Sequence, residues 1–219
     1  MAVEQFRGIL AAVVTPFTAD GSAIDEAGIA RQADHIFGNG VHGLVPGGST
    51  GEFTSLTAEE RKHSAAAYID AAAGRGPVIV GTGALTTAET VELSRHANAA
   101  GASAVMVVPP FYDPQSFDDL LAHYAAVSDA IDIPIVYYHL PSHTGVDLTP
   151  DEFSELAAKT RVTCYKSTSD NAVKLTEMLQ SRADDIQAIN GYDTLTFLGL
   201  ASGAKASVWG AASVIPGLA

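Results

Sequence analysis

Among the chain's five lysines, one stands where a lysine could do chemistry. Lys166 follows Val162, Thr163, Cys164 and Tyr165, a run of strand character, and lies near its C-terminal end. Apolar surroundings disfavour an ammonium, and a free amine attacks carbonyl carbon to form an imine. The same position suits a lysine that lies along the rim of a sheet or is tied up in an ion pair. The pattern alone leaves both open. Lys62, Lys159 and Lys174 fall in helical segments, and Lys205 opens an apolar run of its own.

A second candidate is Pro46-Gly47-Gly48-Ser49-Thr50-Gly51-Glu52. Its glycines let the backbone turn so that N–H groups converge on an anion such as a carboxylate, and two adjacent hydroxyls add donors. A tight turn with a capping Ser or Thr explains the same residues. No Lys follows the glycine as a phosphate-binding P-loop requires. The segment VGTGALTTAE lacks the third glycine of a dinucleotide fingerprint and reads as a turn plus a helix cap. Tyr138, in Tyr137-Tyr138-His139-Leu140-Pro141, and Tyr112, in Pro109-Pro110-Phe111-Tyr112, could each relay a proton beside an imine or simply pack. Alternation allows only one of Tyr137 and Tyr138 to face inward. His139 and His143 have a metal-binding spacing on a helix, but Pro141 between them argues against a regular helix, and no further ligands cluster there. The chain has no Gly-x-Ser-x-Gly elbow, which removes a serine hydrolase of that type.

These residues sit on a repeating unit: an apolar run, a polar loop, an Ala-rich helical pattern, then a glycine. The runs begin at Ile9, Gly43, Val78, Ala104, Pro134, Val162, Ile186 and Lys205, which makes eight candidate strands. Their continuous apolar character fits strands buried on both faces of a parallel sheet. Thr57 with Glu60, Thr86 with Glu89 and Thr149 with Glu152 have capping-box spacing, and Pro150 suits a first helical position. Gly40, Gly74 and Gly101 mark helix ends. Eight such units and no dinucleotide fingerprint after the first favour a (β/α)8 barrel over an open doubly wound sheet. A barrel places its active site at the C-terminal ends of its strands, where Lys166, the Gly47–Gly51 segment, Tyr112 and Tyr138 all fall. One domain spanning residues 1–219 is expected, apparently cut short after the eighth strand, because only ASVIPGLA remains for the last helix.

Composition agrees with a packed α/β domain of 219 residues, with 47% hydrophobic and 17% charged residues. No apolar run is long enough to span a bilayer. A net charge of −13 argues against nucleic acid or an anionic membrane as partner. Cys164 is the only cysteine, so no intrachain disulfide is expected and a cytoplasmic setting is natural.

Taken in order, VVTPF, GGSTGE with LTAEER, VIVGTGA with TAETVELSRHA, VPPFY, YHLPSHTG, YKSTSDN and Gly191-Tyr192-Asp193 cover nearly the whole chain. In this set the sequence resembles the dihydrodipicolinate synthase / N-acetylneuraminate lyase family. The resemblance implies a homo-oligomeric barrel with no metal or other cofactor. Its lysine, here Lys166, forms an imine with pyruvate or another 2-oxo acid, and the resulting enamine joins or leaves an aldehyde. It implies further that Gly48, Ser49 and Thr50 bind the carboxylate, that Tyr138 transfers protons and that Tyr112 completes a neighbouring subunit's site. The Ala206 carbonyl would face the lysine. His143 stands where the synthases of lysine biosynthesis usually carry an arginine, His139 where the family has asparagine, and Ser167 where the synthases often have glutamate. All three surround the second-substrate pocket, so an aldolase or lyase with an altered acceptor, a hydroxylated or aromatic aldehyde, is expected. The alternatives are 4-hydroxy-tetrahydrodipicolinate synthase itself and, from a different class, an inactive truncated barrel.

Overall fold

The computed structural model describes residues 6–219. Within them eight parallel strands alternate with helices: β1 (Gly8–Ala12), α1 (Glu26–Gly38), β2 (Gly43–Val45), α2 (Ala58–Ala72), β3 (Ile79–Gly81), α3 (Thr87–Ala100), β4 (Ala104–Val107) and α4 (Phe117–Ala130). They continue as β5 (Ile135–His139), α5 (Pro141–Thr144), α6 (Pro150–Lys159), β6 (Val162–Ser167), α7 (Ala172–Ser181), β7 (Gln187–Asn190), α8 (Thr196–Ala201) and β8 (Ala206–Trp209). Every run expected to be a strand is one. The chain then makes 3-10 turns at Ala211–Ser213 and Pro216–Leu218, and Ala212 of the first is buried in the core.

The helix boundaries follow the cap chemistry. At Thr57 and Thr149 the hydroxyl accepts from the backbone N–H three residues on, while the glutamate there reaches back to the cap, a full capping box at each. Thr86 makes the forward bond to the Glu89 N–H. Pro150 opens α6 where its missing N–H costs nothing. Pro141 likewise opens α5, so the proline expected to forbid a helix instead starts a single turn, with His139 left behind on the strand.

Pairing runs β2-β1-β8-β7-β6-β5-β4-β3, and the ends of that series meet at one isolated bridge between Leu44 and Val78. The Leu44 N–H donates to the Pro77 carbonyl at 2.9 Å, and the Gly81 N–H to that of Pro46 at 2.8 Å. The barrel is therefore closed through a narrow seam. The seam needs glycine: a Cβ on Gly81 would lie 2.1 Å from the Gly47 carbonyl oxygen, and Gly47 itself has φ +71°. Two apolar layers result. Leu10, Ile79, Met106, Val136, Cys164 and Ile189 belong to the cluster that fills the barrel, and Ile29, Tyr68, Leu120, Phe153 and Tyr165 to the larger one between sheet and helices. No helix among the described residues is long and apolar enough to cross a membrane.

His123 on α4 is buried in the outer layer, its Nδ1 2.9 Å from the Thr87 hydroxyl and its Nε2 without a partner. Burial pushes its pKa down to about 4. An unfolded histidine titrates near ~6.5, so the unfolded chain takes up this proton first. The stability gained by keeping the ring neutral is complete above that value and is lost as pH falls toward 4.

Two measurements follow. In urea unfolding Gly81→Ala is expected to lose about 3 kcal/mol by forcing the seam apart. Gly38→Ala, where an added Cβ meets nothing within 4 Å, should be neutral or gain up to about 1 kcal/mol. Melting temperature against pH should fall between about 6.5 and 4, and His123→Gln should flatten that slope, by up to roughly 3 kcal/mol across the interval.

Candidate active site

Strands β5 and β6 pair with Tyr138 opposite Lys166. Alternation sends both into the barrel alongside Val136 and Cys164, while Tyr137 and Tyr165 turn outward into the helix layer. The structure thus resolves the choice between the two tyrosines. Lys166 is only 5% exposed, and its Nζ lies 4.0 Å from the centre of the Tyr138 ring, within cation–π range. The Tyr138 hydroxyl is 3.3 Å from the Ser49 hydroxyl. An amine, a phenol and an alcohol from strands six and five and the loop after strand two therefore stand in sequence.

The electrostatics of that row favour a reactive phenol. Burial is the largest single influence on Tyr138 and pushes its pKa up. The Lys166 charge leads the opposing influences, joined by side-chain hydrogen bonds to Ser49, Lys166 and Thr168, and the hydroxyl is held below the ordinary tyrosine value. Gly191, directly after β7, clears the space for the lysine: an added Cβ would lie 2.6 Å from Lys166 Cε and Cγ.

The glycine-rich loop folds as a 3-10 turn, Ser49–Gly51, preceded by buried Gly48. The first N–H groups of such a turn have no acceptor inside it, so the turn can receive an anion. Thr50 is half-buried beside Ser49. Thr15 steadies the turn by donating to the Gly51 carbonyl at 2.8 Å. The backbone register carries Lys166 across Ile189 and Asn190 to Ser207, which neighbours Ala206 on β8. Tyr112 is not brought to the cluster: it is 84% exposed on the loop between β4 and α4.

The two histidines part ways. His143 on α5 is exposed, its Nδ1 2.9 Å from the Ser142 hydroxyl. His139 is 1% exposed and faces outward among Tyr137, Phe153 and Tyr165. Its Nε2 donates to Asp147 at 2.8 Å, and Lys174 of α7 bonds the same carboxylate and the Leu148 carbonyl. Burial lowers the His139 pKa against the pull of Asp147. The carboxyl, which burial alone would raise, is held below its usual range by Lys174 and His139.

Beside Ser49 and Tyr138 a cavity of about 200 Å³ opens, walled by Phe53, Val108, Phe111, Leu140 and His143. Phe53 and Phe111 meet edge to face, 5.8 Å between centres. Sequence reasoning missed this pair, the Asp147–Lys174 tie and the role of Gly191. A usable signal was present: Phe53 and Phe111 each lie in a loop just past the C-terminal end of a barrel strand.

Residues 5–219 match the dihydrodipicolinate synthetase family. The 4-hydroxy-tetrahydrodipicolinate synthase of Thermomicrobium roseum is 40% identical over 210 residues, 96% of this chain and 69% of that one. That of Pelobacter propionicus is 37% identical, over 96% of this chain and 72% of its own. Among solved structures, YagE, a prophage protein of the dihydrodipicolinic acid synthase family from E. coli K12, determined in complex with pyruvate, superposes with a TM-score of 0.93. The two share 36% identity, and the match covers 98% of this chain and 73% of that one.

If the Lys166 charge is what holds the Tyr138 hydroxyl down, Lys166→Met removes the largest influence that opposes burial. Tyrosinate absorbance followed against pH should then lose its earliest-titrating tyrosine. An unchanged titration would separate the two groups.

Proposed function

Because the chain belongs to the dihydrodipicolinate synthetase family, we propose that its lyase chemistry runs through an imine between Lys166 and pyruvate or another 2-oxo acid. The single observation that carries this is the buried Lys166 amine 4.0 Å from the Tyr138 ring, with Ser49 within hydrogen-bond reach of the same phenol. Amine and keto group form a carbinolamine, and loss of water leaves a cationic C=N bond. Tyr138 carries the protons: its lowered pKa brings the phenol closer to neutral pH, so it can donate to the departing oxygen and recover the proton afterwards.

The imine draws electrons from the adjacent carbon, which loses a proton to give an enamine. The enamine attacks an aldehyde carbon in synthesis. Run backwards, the C–C bond breaks and the 2-oxo acid is released by hydrolysis. Gly48, Ser49 and Thr50 would hold the carboxylate through the first N–H groups of their turn and the two hydroxyls. The Ala206 carbonyl would face the lysine, and His143 would meet the second substrate. Tyr112, exposed as it is, suits a side chain that completes a neighbouring copy's site, which supports a homo-oligomer. A metal or other cofactor has no part in this scheme. We read the whole chain as one catalytic domain.

The names of the relatives favour a second reading, in which this chain is itself a 4-hydroxy-tetrahydrodipicolinate synthase.

Borohydride reduction in the presence of pyruvate, followed by peptide mass spectrometry, is expected to place one pyruvate-derived adduct on Lys166 and none in Lys166→Ala. Tyr138→Phe should still fold and should turn over ~10²–10⁴-fold more slowly. Soluble, folded protein with no adduct would defeat the imine and point to an inactive barrel.

A further inference from the structure

We infer that the acceptor is an uncharged aldehyde bearing an aromatic ring or a branched apolar group, seated in the cavity beside Tyr138. This inference rests on the imine reading above and adds to it the identity of the second reactant.

The cavity has the size for one such group. At about 200 Å³ it exceeds the ~150 Å³ apolar cavity known to admit a benzene ring. Its wall is mostly hydrocarbon: Phe53, Val108, Phe111 and Leu140 supply it. The edge-to-face geometry of Phe53 and Phe111 is the arrangement aromatic rings prefer, and it offers a third ring partners of the same kind. The polar groups of the wall, Ser49, Thr54, Tyr138 and His143, include hydroxyls and an imidazole but neither lysine nor arginine. Tyr138 stands at the reacting end, so the aldehyde oxygen meets the phenol while its substituent meets the phenyl rings.

Among the described residues, no lysine or arginine lines this cavity to meet a carboxylated aldehyde. Arg61 of α2 sits behind Phe53, its Cζ 5.1 Å from the ring centre. Its Nη2 is committed to the Gly81 and Gly83 carbonyls at 3.2 and 2.9 Å. Taking an unpaired carboxylate into an apolar pocket is strongly unfavourable. The cavity therefore selects against charge as well as for apolar surface.

The test has two stages on the intact protein. Pyruvate trapping by borohydride comes first, without any aldehyde. Turnover of pyruvate is then measured with benzaldehyde and isobutyraldehyde against aspartate semialdehyde and succinic semialdehyde. The expected result is an adduct on Lys166 and a kcat/KM for the uncharged pair at least ~10-fold above that for the carboxylated pair. An adduct with equal or reversed preference overturns this inference and leaves the imine standing. No adduct takes down the imine and this inference with it. His143→Arg, which puts a cation into the wall, should move the ratio toward the carboxylated aldehydes by about tenfold. If that variant shows no such move while still forming the adduct, the charge argument is overturned.

Discussion

An amine enclosed in a barrel has to be matched by something, and here the match is a phenol on the next strand. The parallel register of β5 and β6 sets Tyr138 opposite Lys166, and the rest of the site is arranged around that pair. Ser49 reaches the phenol because the turn after β2 leans on it. Gly191 has no side chain because the lysine's own carbons occupy that space. The cavity of about 200 Å³ opens beside the phenol, walled by Phe53, Val108, Phe111 and Leu140. A slip of one residue between these strands would turn the phenol into the helix layer and the row of groups would vanish.

The pair also explains the division of labour along β5. Consecutive side chains face opposite ways, so Tyr138 serves the barrel while Tyr137 and His139 serve the outer layer. Tyr137 stacks on Tyr124 with ring centres 5.0 Å apart. His139 fastens the strand's end to Asp147, and through that carboxylate to α7. A short stretch of sequence thus supplies both the phenol beside Lys166 and the anchors that keep it in register.

Much of this was legible in the residues. The strands announce themselves because both of their faces are covered, and each apolar run between helix caps became one of them. Lys166 could be singled out because strand direction alone tells which end of a barrel a residue occupies. Other features depend on facts that a linear pattern does not hold. Parity along β5 chooses Tyr138 over Tyr137, and parity is set by the pairing with β6. Pro141 could equally end a strand or begin a helical turn, since it lacks only the N–H that neither position needs. Phe53 and Phe111 lie far apart in sequence, and they meet only because the loops after β2 and β4 fold toward the same mouth.

The carboxylate of Asp147 accepts from a residue before the α5 turn and from a helix beyond it. Both ends of the segment from Leu140 to Val146 are therefore held independently of what lies between them. The exposed residues in the middle, Ser142 and His143, form a replaceable pair: they can change in identity while buried Thr144 and Val146 keep the segment packed. In evolutionary terms the wall of such a cavity can drift while the buried amine and phenol of Lys166 and Tyr138 stay in place.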